Sequence, residues 1–324
     1  MNTREIRDLL SWDETLFRDQ SVLEDAYLPD AILCRDPQMR ELALAARAGI
    51  RGRTPGCAVC TGLPGTGKTT TVRHLCAGLE EAGQRLIPAY INCQIDDSAA
   101  AVVARIHEGL RGEPPPKGRS LRANLTSVGH ALTENRQSLL ACLDDVNYLF
   151  HDHMLDTVLS TLLRACETCE GARVGVVAVT SDPAVDLWSH LRPRTASVFR
   201  AAVIPYPAYT GEETLILLRE RVRAALWPGV MPEDLLRKIA YIASDQRDLR
   251  AGVSMCRQTS LRAEWEGRRR IDTEDLSAVL CASGLVTDLS PDAPPSPSCL
   301  VAETAGPYRA GDMHRRGKNG KIFL

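Results

Sequence analysis

The sequence predicts an α/β fold, a parallel sheet enclosed by helices, followed by a smaller helical domain and a short irregular tail. Three observations carry this expectation. Short apolar runs alternate with stretches of helical periodicity, the pattern of strand–helix–strand units. A glycine-rich turn joins one such run to an amphipathic helix. Beyond about Tyr209 the strand-type runs stop, while helical spacing continues to about position 282.

The elements follow in chain order. Residues 1–26 are expected to form an N-terminal helical segment. CAVCTG (57–62) reads as a buried strand leading into the glycine-rich turn, and the helix after it carries Val72, Leu75, Cys76 and Leu79 on one face. Gly83 is its natural stop. LIPAYI (86–91), LLACL (139–143) and VGVVAV (174–179) are short apolar runs of the kind buried on both faces of a parallel sheet. Val102, Val103, Ile106 and Leu110 mark one intervening helix, and Leu155, Val158, Leu159, Leu162, Leu163 and Cys166 mark another. GEPPPKG (112–118) breaks the pattern and reads as a surface loop. After Tyr209 four apolar stripes follow at helical spacing: Leu215/Leu218/Val222, Leu235/Leu236/Ile239, Leu249/Val253/Cys256 and Leu276/Val279/Leu280. From Ser283 proline and serine dominate (LSPDAPPSPS) and the chain runs into MHRRGKNGKIFL, the composition of a disordered basic tail.

Composition bounds the remaining possibilities. With 324 residues, 44% hydrophobic and 25% charged, the chain suffices for one large or two modest domains. No stretch approaches the roughly 20 apolar residues of a membrane span. The start, MNTREIRDLL, lacks the apolar region of a secretory signal, so no membrane partner and a cytoplasmic location are expected. Eleven cysteines without regular spacing fit reduced thiols. Two CxxC pairs occur, Cys57/Cys60 and Cys166/Cys169, but positions three apart on a strand face opposite ways, so zinc is not expected at the first. A net charge of -2 gives no global attraction to nucleic acid, and any such contact must come from a local basic patch.

The chemistry concentrates in one motif. Gly62-Leu63-Pro64-Gly65-Thr66-Gly67-Lys68-Thr69 matches GxxxxGK[ST] between a buried strand and an amphipathic helix, the context this motif requires. Small residues let backbone N–H groups converge on phosphate oxygens, and the helix N-terminus adds its positive end. Residues Pro64 to Thr70 are therefore expected to bind ATP or ADP, with Lys68 on the β and γ oxygens and Thr69 on Mg²⁺. LLACL carries Asp144 and Asp145 to the edge of the sheet where ligands of parallel sheets bind. Asp144 is expected to hold Mg²⁺ through water and Asp145 to polarise the attacking water; Asp145 stands where a longer glutamate would reach better, so hydrolysis should be slow. The next strand ends in Thr180-Ser181-Asp182, and Ser181 is a candidate sensor of the γ-phosphate.

Taken together, the motifs resemble those of the archaeal DNA replication initiators related to the eukaryotic origin recognition complex and cell-division-control loader. The resemblance runs from about Tyr27 to Leu280. It rests on YLPDAILCRDPQMREL, GLPGTGKTTTVRHL, YINCQ, LDDVNYL, LLRACE with VGVVAVTSD, RPRTASVF, IPYPAYTGEETLILLRERV and DLRAGVSMCRQ. It implies an α/β, parallel-sheet P-loop AAA+ domain over 27–208 and a small helical lid domain over 209–282, with residues 283–324 as the tail. It implies further that Leu28-Pro29 walls the adenine, and that Tyr209 and Arg221 contact the nucleotide from the start of the lid; without it, Leu28-Pro29 reads as a loop packed on the sheet edge, Tyr209 equally as a core tyrosine and Arg221 as a solvated helix arginine. Arg250 matches the family's second sensor, reaching the γ-phosphate, where the bare sequence offers one more surface arginine. The region of Arg192 and Arg194 resembles, more loosely, the one that carries an arginine finger.

Departures accompany the resemblance: Asp145 replaces glutamate, Ser181 stands where asparagine is common, and the tail is too short for the winged-helix domain of full-length members. The expected function is an ATP-binding replication initiator with slow hydrolysis, contacting DNA at an origin or weakly and non-specifically, and assembling with other initiator subunits or the replicative helicase. Two alternatives stay open, a nucleotide-dependent regulatory module without DNA binding and an unrelated clamp-loader-like ATPase.

Overall fold

The computed structural model describes residues 15–83 and 85–284. The expected N-terminal segment therefore lies outside the described residues as far as position 14, and the tail lies outside them from position 285.

Five strands make one parallel sheet in the order β2-β3-β4-β1-β5, where β1 is Cys57–Thr61, β2 Leu86–Asn92, β3 Ser138–Asp144, β4 Val174–Thr180 and β5 Ala201–Pro205. The helices in chain order are α1 (Asp36–Ile50), α2 (Lys68–Ala82), α3 (Ala99–Arg111), α4 (Leu121–Glu134), α5 (Met154–Leu163), the four-residue turns α6 (Ala165–Thr168) and α7 (Pro193–Ala196), then α8 (Gly211–Ala225), α9 (Glu233–Asp245), α10 (Leu249–Trp265) and α11 (Thr273–Ala282).

The strand side chains alternate between two cores, as a period of two demands. Leu139, Ala141 and Leu143 of β3 and Val176 and Ala178 of β4 face Val102, Val103 and Ile106 of α3, Val128 and Leu132 of α4, and Leu155, Leu159 and Leu162 of α5. Leu140 and Cys142, with Val177 and Val179, face Leu42 and Ala46 of α1 and Val72, Leu75 and Leu79 of α2. β3 and β4 are buried at every position, which is why they read as unbroken apolar runs. Cys57 packs toward the first core and Cys60 into the second, so the first CxxC pair does point to opposite faces. Leu159 is fully buried among these contacts. Leu159→Ala is expected to lower stability by about 2–5 kcal/mol, measured as a drop in the urea midpoint.

Three elements were not anticipated. β5 is an edge strand of five residues, mostly exposed, and ends in Pro205, which an edge tolerates. α1 and α4 bury modest stripes, Leu42/Ala46/Gly49 and Leu125/Val128/Leu132. Capping marks three of the helix starts chemically. The hydroxyls of Ser98 and Ser120 accept from N3 amides, and Thr210 forms a capping box with Glu213.

Helices α8 to α10 pack on one another, and the first described residues join them. Phe17 bridges Leu226, the Leu16 amide donates to Glu264 Oε1 at 3.1 Å, and the turn Gln20–Leu23 rests on α8 and α10. No helix among the described residues is long and apolar enough to cross a membrane.

Candidate nucleotide site

The strand order creates the site. β1 hands its C-terminal end to the glycine turn and β3 ends in Asp144, while β4, lying between them, delivers Ser181 to the gap. All three strand ends open at the same edge, where parallel sheets bind ligands.

The turn is built on backbone geometry. Gly65 and Gly67 hold φ of 71° and 84°, the left-handed region in which a Cβ is strained. A methyl on Gly65 would also strike the carboxylate of Asp248, and one on Gly67 the hydroxyl of Tyr209. Gly67 caps α2, so the helix amides open onto the turn.

Lys68, the first residue of α2, is 4% exposed. Its ammonium donates to the carbonyls of Gly62 at 2.9 Å and Leu63 at 2.7 Å. Burial pulls its pKa down to about 8, against the opposing pull of the Asp145 and Asp144 carboxylates and with a contribution from the nearby Arg250.

The two aspartates diverge. Asp144 accepts from the Thr69 hydroxyl at 3.1 Å and, through its other oxygen, from the Tyr90 hydroxyl at 2.6 Å. Burial raises its pKa despite those bonds, and the Asp145 charge adds to the rise. The chain then turns into the left-handed region at Asp145, φ 55° and ψ 48°, which sends the second carboxylate elsewhere. Asp145 accepts from the Ser181 hydroxyl at 3.0 Å.

A cleft of about 600 Å³ adjoins these groups: Lys68, Thr69 and Ser181 line it, while Asp144 and Asp145 stand behind them and do not. Leu28, Pro29, Ile32 and Leu33 give it an apolar wall, and Gly65 to Thr71, Ser181, Tyr209, Arg221 and Arg250 are among the residues that line the rest. Thr70 lines it with the others; Pro64 is exposed on the outside of the turn and does not. Arg221 donates to the carbonyl of Val22 at 2.6 Å and its guanidinium lies 4.6 Å from the Tyr27 ring centre, so it is fastened to the segment entering the apolar wall. Burial lowers its pKa. Arg250 is the second residue of α10, its amide capped by Asp248 at 2.9 Å. Arg192 and Arg194 do not line the cleft; Arg192 approaches Asp156, which accepts its amide at 2.8 Å.

Two participants were missed. Tyr90 sits in what reads as a purely apolar strand, but the register Tyr90↔Cys142, Asn92↔Asp144 makes it the diagonal neighbour of Asp144 on one face. Arg35 is 3% exposed and lines the cleft beside the turn, with Nε donating to the Thr66 carbonyl at 3.0 Å. It falls within the YLPDAILCRDPQMREL stretch, where nothing in its spacing marks it as buried. Among the described residues no group of three or more His, Cys, Asp or Glu forms a metal cage.

Comparison with known proteins agrees with this geometry. Residues 50–180 match the family described as AAA domain. The chain is 36% identical over 280 residues to ORC1-type DNA replication protein 2 of Methanosarcina mazei, spanning 86% of this chain and 74% of that protein. To ORC1-type DNA replication protein 6 of Halobacterium salinarum it is 37% identical, spanning 84% and 72%. Among solved structures, the Aeropyrum pernix ORC1 protein in complex with DNA superposes with a TM-score of 0.70 at 25% identity, covering 84% of this chain and 71% of that one. Cdc6p from Pyrobaculum aerophilum gives 0.68 at 27%, covering 81% and 70%. A phosphate loop, an acidic strand end and a polar strand end on a 2-3-4-1-5 parallel sheet, together with relatives matched over most of their length, establish that the chain belongs to the ORC1-type DNA replication proteins, AAA+ replication initiators related to the origin recognition complex and Cdc6.

Proposed function

We propose that the chain binds ATP and Mg²⁺ in this cleft, hydrolyses the nucleotide slowly, and uses the nucleotide state to control assembly on DNA. The observation that carries the proposal is the convergence of a buried lysine, a hydroxyl–carboxylate pair and a second carboxylate at one strand edge. The donor set fits the group. Thr69 and Asp144 offer two hard oxygens side by side, and Mg²⁺ takes one or two protein oxygens with phosphates and water rather than a full protein cage. When bound, it neutralises charge on the phosphate oxygens.

The chain's own residues divide the work. Lys68 supplies a point charge to the β and γ oxygens, and the amides from Gly65 to Thr70 supply directed donors. Tyr90 and Thr69 hold the Asp144 carboxylate in one orientation. Asp145 takes the proton of the attacking water, and Ser181 steadies that carboxylate from the strand end between. The apolar wall from Leu28 to Leu33 receives the base, with Tyr209 and Arg221 at the entry to α8 and Arg250 reaching from α10. In this reading residues 209–282 act as the lid, and their position reports the nucleotide.

DNA is the proposed partner because a relative of the same fold is known in complex with it, and other initiator subunits or the replicative helicase are the partners of the assembled state. ATPase rates measured with and without the organism's own origin DNA test the proposal: slow turnover with DNA binding supports it. Slow turnover with no DNA binding supports a regulatory module instead, and fast turnover a clamp-loader-like enzyme.

Arg309, Arg315, Arg316, Lys318 and Lys321 lie close together in sequence with Asp312 opposing them. Deleting residues from Ser290 onward is expected to leave ATP affinity unchanged. It should also lower non-specific DNA affinity and flatten its dependence on salt, because fewer counterions are released. An unchanged salt slope in a fluorescence-anisotropy titration would place the phosphate contacts elsewhere.

A further inference from the structure

Arg35 is the most deeply buried arginine of the described chain, and it sits against the phosphate turn at the wall of the cleft. Its Nε donates to the Thr66 carbonyl at 3.0 Å, one terminal nitrogen to the Cys34 carbonyl at 3.0 Å and the other to the Pro207 carbonyl at 2.6 Å. Its guanidinium carbon lies 3.7 Å from the centre of the Tyr209 ring. These acceptors are neutral, and among the described residues no carboxylate pairs with the charge. Burying a guanidinium is costly unless its donors are satisfied and its geometry is tight. Here the planar fork is spread over three chain segments: the start of α1, the phosphate turn, and the link from β5 to α8.

We propose that Arg35 is a positioning residue that sets the phosphate turn and the entry to the helical region together, so that nucleotide binding and the placement of Tyr209 and α8 are coupled through one side chain. The proposal rests on the nucleotide-binding reading above. Its first half follows from the peptide bond. A trans peptide carries its C=O and N–H on opposite sides. By holding the Thr66 carbonyl toward itself, Arg35 turns the Gly67 N–H the other way, into the turn. Its second half follows from the stacking. The ring that lies on Arg35 carries the hydroxyl that closes over Gly67, where it leaves no room for a side chain. Pro207 and Tyr209 immediately precede α8, whose cap is Thr210. A shift of the turn must therefore be felt at the start of α8 through the same guanidinium.

Arg35→Lys tests this, since it keeps the charge and removes both the fork and the flat stacking surface. Nucleotide affinity is measured by calorimetry with ATP and ADP for the parent, Arg35→Lys, Tyr209→Leu and the double variant, each first shown by its melting curve to be folded. Arg35→Lys is expected to weaken both nucleotides by about 10- to 100-fold, the scale of lost hydrogen bonds to a charged group. The double variant is expected to be weaker than Arg35→Lys by a smaller factor than Tyr209→Leu costs in the parent, because the linkage is broken once and only the contact of Tyr209 with the nucleotide is lost in addition. Parent-like affinity in Arg35→Lys, or effects that simply multiply, would overturn the proposal.

Hydrogen exchange without nucleotide decides the same question independently of the nucleotide-binding reading. In Arg35→Lys the amides of the phosphate turn and those from Ala208 to Gly211 should gain exchange together, relative to β3 as an internal reference. Faster exchange in only one of the two segments removes the coupling even if the parent binds no ATP at all.

Discussion

Lys68→Ala is expected to weaken ATP binding by about 100- to 1,000-fold, the loss of a buried charge that in the proposed function makes two or more hydrogen bonds to phosphate oxygens. The variant keeps the glycine turn and the helix amides, so residual binding through the backbone should survive at high ATP. Calorimetric titration against the parent checks the magnitude, and parent-like affinity would show that the phosphates lie elsewhere. The same lysine gives a pH dependence. Burial holds its pKa near 8, below the ordinary lysine value, so the free protein loses this charge as pH rises through that region. Triphosphate stabilises the charged form and raises the pKa again. Affinity should therefore fall as pH rises above about 8, and binding there should take up a proton. Calorimetry in two buffers of different ionisation enthalpy reads that proton directly. A proton count of zero at pH 8.5 would contradict the assignment.

Asp145→Asn is expected to leave ATP affinity within about threefold of the parent while reducing single-turnover hydrolysis by about 100-fold or more, the usual scale for removing a general base. The geometry motivates the separation of the two effects. Asp144 is turned toward Thr69, and the left-handed turn at Asp145 points the second carboxylate to Ser181 instead. In the proposed function metal and water thereby fall to different side chains. Asp145→Glu should retain turnover or raise it, since the added methylene extends the reach toward the water. Undiminished turnover in Asp145→Asn would mean that another residue orients the water.

How much of this was legible in the sequence depends on whether the signal is local. β3 and β4 announce themselves because every residue is buried, and the phosphate loop because its glycines combine left-handed backbone with contacts that leave no room for a side chain. β5 does not, because five residues on an edge, mostly exposed, carry neither an apolar run nor a clean alternation. α4 was hidden by its ordinary composition, although Ser120 and the stripe Leu125/Val128/Leu132 were there to be read. Within the site, Lys68, Thr69 and Asp144 follow from motif and strand order. Arg35 and Tyr90 do not, since they reach Thr66 and Asp144 across 31 and 54 residues of chain. Only the sheet register and the tertiary packing bring those pairs together.

The close approach of Gly65 to the first turn of α10 has a mechanical consequence. The contact leaves no space for even a methyl group, so loop and helix touch as a cam touches a follower. α10 runs 17 residues from Leu249 to Trp265, a rigid arm of about 25 Å at 1.5 Å per residue. A tilt of about 5° at the pivot swings its far end by roughly 2 Å. That end carries Trp265, 82% exposed, so a small displacement of the turn at Gly65 would be enlarged into a change of exposed surface about 25 Å away.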